Sequence, residues 1–82
     1  MGAHPVSLVG RIGEVVTRIR GGDTPGEVSL VVAGSRELYT AFAVDELPIG
    51  TSVLVINNRG LRELDVEPWS FPGLGAFGVA GQ

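Results

Sequence analysis

The chain has 82 residues, no cysteine and a formal net charge of −3, and its six basic residues are all arginine. One domain is the upper limit at this length, and 44% apolar residues suffice for a thin core. Disulfides, thiolate metal sites and cysteine nucleophiles are excluded, and the acidic, lysine-free balance lacks the electrostatic footprint of a general nucleic-acid binder.

Glycine and proline cut the sequence into short pieces. Residues 1–6 are expected to be a disordered N-terminus with no signal peptide, because Met1 to Pro5 carry no charged segment and no long apolar run. Residues 7–20, rich in Val and Ile, predict a long first strand. Leu8 and Ile12 occupy even positions, whereas Val15, Thr17 and Ile19 occupy odd ones. Gly13 stands between the two phases, where a β-bulge or bend is expected. Residues 20–26 form a loop dominated by Gly21, Gly22, Asp23 and Pro25.

Residues 27–33 predict a second strand with Val28, Leu30 and Val32 facing inward. Gly34-Ser35 reads as a two-residue turn. Residues 36–44 predict a third strand, in which alternation assigns Leu38, Thr40, Phe42 and Val44 to the core. Residues 45–50 connect to a fourth strand at 51–56. Residues 57–60, Asn-Asn-Arg-Gly, read as a turn because Asn and Gly tolerate positive φ. A fifth strand covers 61–67, with Leu64 and Val66 inward.

No window sustains a helical period. Five short strands with hairpin turns predict an all-β, five-stranded barrel of the OB type over residues 7–68, with a small SH3-like barrel as the alternative. Closure also removes exposed sheet edges. Residues 69–82 are apolar and glycine-rich. Trp69 and Phe71 are expected to pack on the barrel and the rest of this tail to be mobile. No stretch approaches the roughly 20 apolar residues of a membrane-spanning helix.

Candidate chemistry is sparse. His4 is the only histidine and sits near the chain start, without a positioned partner or a Gly-x-Ser-x-Gly elbow. Glu63, Asp65 and Glu67 alternate along the last strand ~7 Å apart, which reads as a solvated face rather than a cation site. Gly73-Leu74-Gly75-Ala76-Phe77-Gly78 spells G-x-G-x-x-G, but no βαβ unit surrounds it. No enzymatic activity, cofactor or metal is expected.

Ligands of OB barrels bind across strands 2 and 3 and the loops joining strands 1–2 and 4–5. Here that surface is assigned Glu27, Ser29 and Val31 from strand 2 and Glu37, Tyr39, Ala41 and Ala43 from strand 3. Val31, Tyr39 and Ala41 would form a small apolar patch, with Arg20 and Arg59 at its edge. One aromatic and two glutamates suit a protein partner, or self-association, better than a single-stranded nucleic acid, which is the alternative ligand.

Leu8-Val9-Gly10, Gly13, Thr17, Arg20 and Gly26-Glu27-Val28, followed by Ile49-Gly50, Val53, Val55, Gly60, Leu64, Val66 and Glu67, give residues 7–67 the order and spacing of a known family. The chain resembles the soluble C-terminal domain of NfeD proteins. The resemblance implies an OB-type barrel. It also implies transmembrane helices ahead of the domain, association with stomatin- or flotillin-like membrane scaffold proteins in short members, and a Clp-type serine protease domain in long ones. Neither helices nor protease are legible in these residues, so an excised domain or a minimal member is expected, in the cytoplasm or at the cytoplasmic membrane face. Gly21 to Thr24 lengthen the loop that the family pattern keeps short after Arg20.

Overall fold

A computed structural model describes residues 7–70; the expectations for residues 1–6, for Phe71 and for the tail beyond it lie outside the described residues. Five strands, β1 (Ile12–Thr17), β2 (Gly26–Val32), β3 (Ser35–Phe42), β4 (Ser52–Gly60) and β5 (Glu63–Pro68), follow one another without a helix. They close into a barrel in the order β1-β2-β3-β5-β4, with β4 returning to β1. Every neighbouring pair is antiparallel except β3 and β5, which run parallel. This is the five-stranded OB-type barrel expected from the sequence.

The interior is aliphatic. Val15, Ile19, Val28, Leu30, Val53, Val55 and Leu64 are all but inaccessible, and Leu47 and Val66 join them. Inward residues alternate along β2 and β5 as the sequence pattern requires. β1 behaves differently from expectation. Its bulge falls between Val15 and Thr17, not at Gly13, so Val15 and Ile19 are buried while Ile12 and Thr17 face out. Gly13 has another task. A Cβ there would stand 2.5 Å from the Ser29 carbonyl oxygen and press on Leu30, so the position is closed to any side chain. Beyond β1 the chain stays pinned through Ile19, whose N–H donates to Leu47 O at 3.0 Å and whose carbonyl accepts from Leu47 N at 2.8 Å.

Three other expectations are corrected. The β2–β3 turn is Ala33-Gly34, both at positive φ (52° and 83°), one residue earlier than predicted. The β4–β5 turn is Leu61-Arg62, also at positive φ (55° and 60°), and residues 57–60 are strand. Most consequentially, β3 faces the other way. Tyr39, Ala41 and Ala43 are core residues, while Leu38 and Val44 are exposed. Pairing explains this. Directly opposed residues of an antiparallel pair share a face. Val28 opposes Tyr39 and Gly26 opposes Ala41, so the inward face of β2 selects the odd positions of β3.

Candidate interaction site

The inverted phase of β3 places Phe42, half-buried, on the outer face at the strand's end. The parallel pairing of β3 with β5 puts Asp65 directly beside it. Because β4 continues as strand through residues 57–60, with irregularities between Val55 and Asn57 and between Asn58 and Gly60, Asn57 and Arg59 are carried to the same place. Arg59 then makes two kinds of contact. Its Nη2 donates to Asp65 Oδ1 at 2.8 Å, and its Nε lies 3.1 Å from each Asp65 oxygen. Its guanidinium carbon lies 3.8 Å from the centre of the Phe42 ring, within cation–π range. Asn57 Nδ2 donates to Asp65 Oδ2 at 2.9 Å.

These hydrogen bonds set the charge state. Donation from Arg59, then from Asn57, holds the Asp65 carboxyl below its ordinary value against a smaller opposing effect of burial. The same pair raises the Arg59 guanidinium above its ordinary value, chiefly through the hydrogen bond to Asp65.

Around this lock opens a hollow of about 420 Å³. Its walls are the Gly22–Asp23 loop, the segment from Phe42 to Val44, Ile56, Asn57 and Arg59 on β4, and Asp65 and Val66 on β5. The loop is held in place because Gly22 N–H donates to the carbonyls of Ala43 (2.9 Å) and Val44 (3.2 Å). Gly21 adopts φ of 105° there, and a Cβ would stand 3.1 Å from backbone atoms of Val44 and Asp45. Two apolar side chains of the hollow face water, Val44 (87% exposed) and Ile56. The arrangement offers an apolar seat with one positioned cation–carboxylate pair. Among the described residues no three acidic or histidine side chains gather as a metal site.

A second clamp stands at the neighbouring hairpin tip. Arg62 Nη2 donates to Leu38 O at 2.6 Å and meets Glu37 at 3.4 Å, while its guanidinium lies 4.4 Å from the Tyr39 ring centre.

The residues picked from sequence scatter. Tyr39 and Ala41 are buried and cannot present a patch, because β3 shows its other face outside. Val31 is exposed but pairs with Arg36 near the opposite end of the β2–β3 ribbon, roughly 20 Å from Phe42 along the strand. Arg20 is exposed and enters the loop that walls the hollow. Arg59 alone lines the hollow itself. Glu67 is solvated as expected, but Asp65 belongs to the Arg59 lock. Phe42, Val44 and Ile56 were missed. The signal that finds Phe42 and Val44 is arithmetic. Across any two-residue hairpin turn the paired positions sum to an odd number, so inward Val28 and Leu30 place odd-numbered residues of β3 inside and leave Phe42 and Val44 out.

The sequence matches the model of the NfeD C-terminal domain family over residues 12–67. Among solved structures, the barrel is similar to the soluble domain of the NfeD protein YuaF from Bacillus subtilis (31% identity, 72% of this chain and 70% of that one, TM-score 0.62). It is also similar to the C-terminal domain of stomatin operon partner protein 1510-C from Pyrococcus horikoshii (24% identity, 78% and 91%, TM-score 0.63), a likeness that speaks for the fold alone. No curated protein matches the chain significantly.

Proposed function

The chain belongs to the NfeD C-terminal domain family, and from that premise we propose that it is a non-enzymatic docking domain that acts with a stomatin- or flotillin-like membrane scaffold protein through the hollow around Arg59. The observation that carries the proposal is the hollow itself. It combines exposed aliphatic side chains, Val44 and Ile56, with an aromatic ring and an arginine fixed in one geometry, which is the make-up of a protein-binding seat. The choice of partner class follows the resemblance to the family, whose short members are associated with such scaffolds. The working location is the cytoplasm or the cytoplasmic face of a membrane, by resemblance to the family.

Nucleic-acid binding, the other common use of this barrel, is less well supported. Three of the six arginines are engaged with carboxylates, Arg18 with Glu46, Arg59 with Asp65 and Arg62 with Glu37, so little free positive charge is left for phosphates. The discriminating experiment is binding of a purified stomatin-like protein, measured by calorimetry, to the wild type and to the Val44→Asp, Ile56→Asp double variant. Both positions face water, so the variant is expected to keep its Tm and to bind at least tenfold more weakly. Undiminished binding removes the hollow from the interface.

A further inference from the structure

A row of outward side chains crosses the barrel wall at one level. Ile12 on β1 opposes Leu54 on β4, which opposes Glu67 on β5, and directly opposed residues share a face. On the other flank of β1 the ladder pairs Glu14 with Ser29, so Val31 continues it beside Ile12. Arg11 Nη1 donates to Val31 O at 3.1 Å and ties the two strands there. Val31 in turn opposes Arg36 on β3. The centre of the row, Val31, Ile12 and Leu54, is therefore an apolar strip three strands wide. Val31 is 61% exposed and Ile12 49%, and Leu54 is half-buried. Single apolar residues on a surface are ordinary, but three in adjacent register call for a cover.

β5 delivers the following chain to this face. Trp69 N–H donates to Ser52 O at 2.8 Å, so the chain continues beside the start of β4. Trp69, two positions after outward Glu67, is half-buried there. Residues 71–82, which follow, carry no charged side chain and include Phe71, Leu74, Phe77 and Val79. Pro72-Gly73 is the central pair that a type II turn demands, and such a turn sends a chain back the way it came. Here that direction is back over β4 and β1. Two residues past Trp69, the turn begins ~7 Å beyond it, and Leu54 and Ile12 lie ~7 Å on its other side. The five residues from Leu74 to Val79 span ~17 Å when extended, which covers that return of ~14 Å and the step across to β1. Phe77 and Val79, two apart, then face the same way. Tethering selects this occupant: a segment joined so closely meets the strip at an effective concentration in the millimolar range, above that of a free partner or a second copy at micromolar levels.

We propose that residues 74–79 of this same chain lie across the strip as a strap, with Phe77 on Leu54 and Val79 on Ile12. Sequence alone offers these two side chains no seat; the row supplies one. The contact is independent of docking at the hollow.

The chain has no cysteine, so a single introduced thiol reports on one place. The test is the rate of maleimide labelling of Ile12→Cys in the 82-residue chain, with and without the pair Phe77→Ser, Val79→Ser, and without any partner protein. Leu61→Cys, 95% exposed and at the far end of the β4–β5 hairpin, is the control. A strap seated about three quarters of the time leaves the thiol open for about one quarter of it, so the pair is expected to speed labelling of Ile12→Cys about fourfold. The Leu61→Cys rate and the Tm are expected to stay the same, since neither substitution lies in a strand. Equal Ile12→Cys rates with and without the pair overturn the proposal and leave the strip to an external partner. Faster labelling of Leu61→Cys also overturns it, because the barrel itself has then loosened. So does an Ile12→Cys rate that falls as the chain is concentrated from about 10 μM to 500 μM, which is the mark of a second copy on the strip.

Discussion

Two hairpin turns show how single residues bend this chain against their own preferences. Ala33-Gly34 and Leu61-Arg62 both place two consecutive residues at positive φ, and three of the four carry a Cβ. Such turns match the right-handed twist of the strands they join, so the ladders on either side offset the local strain. Nothing clamps or uses the Ala33 methyl, which is exposed. Ala33→Asn restores the Asn-Gly pair that this turn type favours. It is expected to raise stability by about 0.5–1 kcal/mol, read as a higher urea midpoint at unchanged m-value.

At the scale of elements, β4 and β5 are joined by more than their ladder. The Arg59–Asp65–Asn57 lock crosses them, and the Phe42 ring ties β3 to the same guanidinium. The lock depends on the Asp65 carboxylate. Because the folded state depresses the Asp65 pKa, it binds that proton less readily than the unfolded chain does. The stabilisation is therefore complete above the unfolded-chain value of about 4 and is lost as pH falls through the lower folded value. Exposure keeps the effect modest. Urea midpoints between about pH 2 and 7 are expected to fall less steeply on the acid side for Asp65→Asn than for the wild type, with the variant less stable at neutral pH. Identical acid-side slopes would show that the lock contributes nothing.

At the scale of the molecule, twelve apolar residues make the core among the described residues, and Tyr39 is the only aromatic of the twelve. With so small an interior each member matters. Tyr39 is 8% exposed. Tyr39→Ala is therefore a core deletion, not a surface probe, and is expected to lower unfolding free energy by about 3 kcal/mol in urea titrations. A small effect would mean that β3 keeps its other face inside. The alternation of β3 is misleading for a packing reason. Along β3 and the two residues after it, outward Leu38, Phe42 and Val44 are large, whereas inward Ala41 and Ala43, beyond Tyr39, are small. Space inside is short where Ala41 lies opposite Gly26, since a Cβ at Gly26 would already collide with the carbonyls of Thr17 and Arg18. Hydrophobicity read along one strand selects bulk, whereas the crowded interior admits only small side chains there.

The amino-acid sequence by itself determined the number and order of the strands, the absence of helix from residues 7–67, and the inward faces of β2 and β5, because these follow from local periodicity and from glycine and proline at the turns. It also carried the family likeness. Only the tertiary structure decided which side of β3 meets water and which residues share the hollow. Phe42, Arg59 and Asp65 lie on three strands and meet because β5 inserts parallel to β3 with β4 on its other flank. A pairing between distant strands leaves no periodic trace in either one, so it became visible only when the barrel closed.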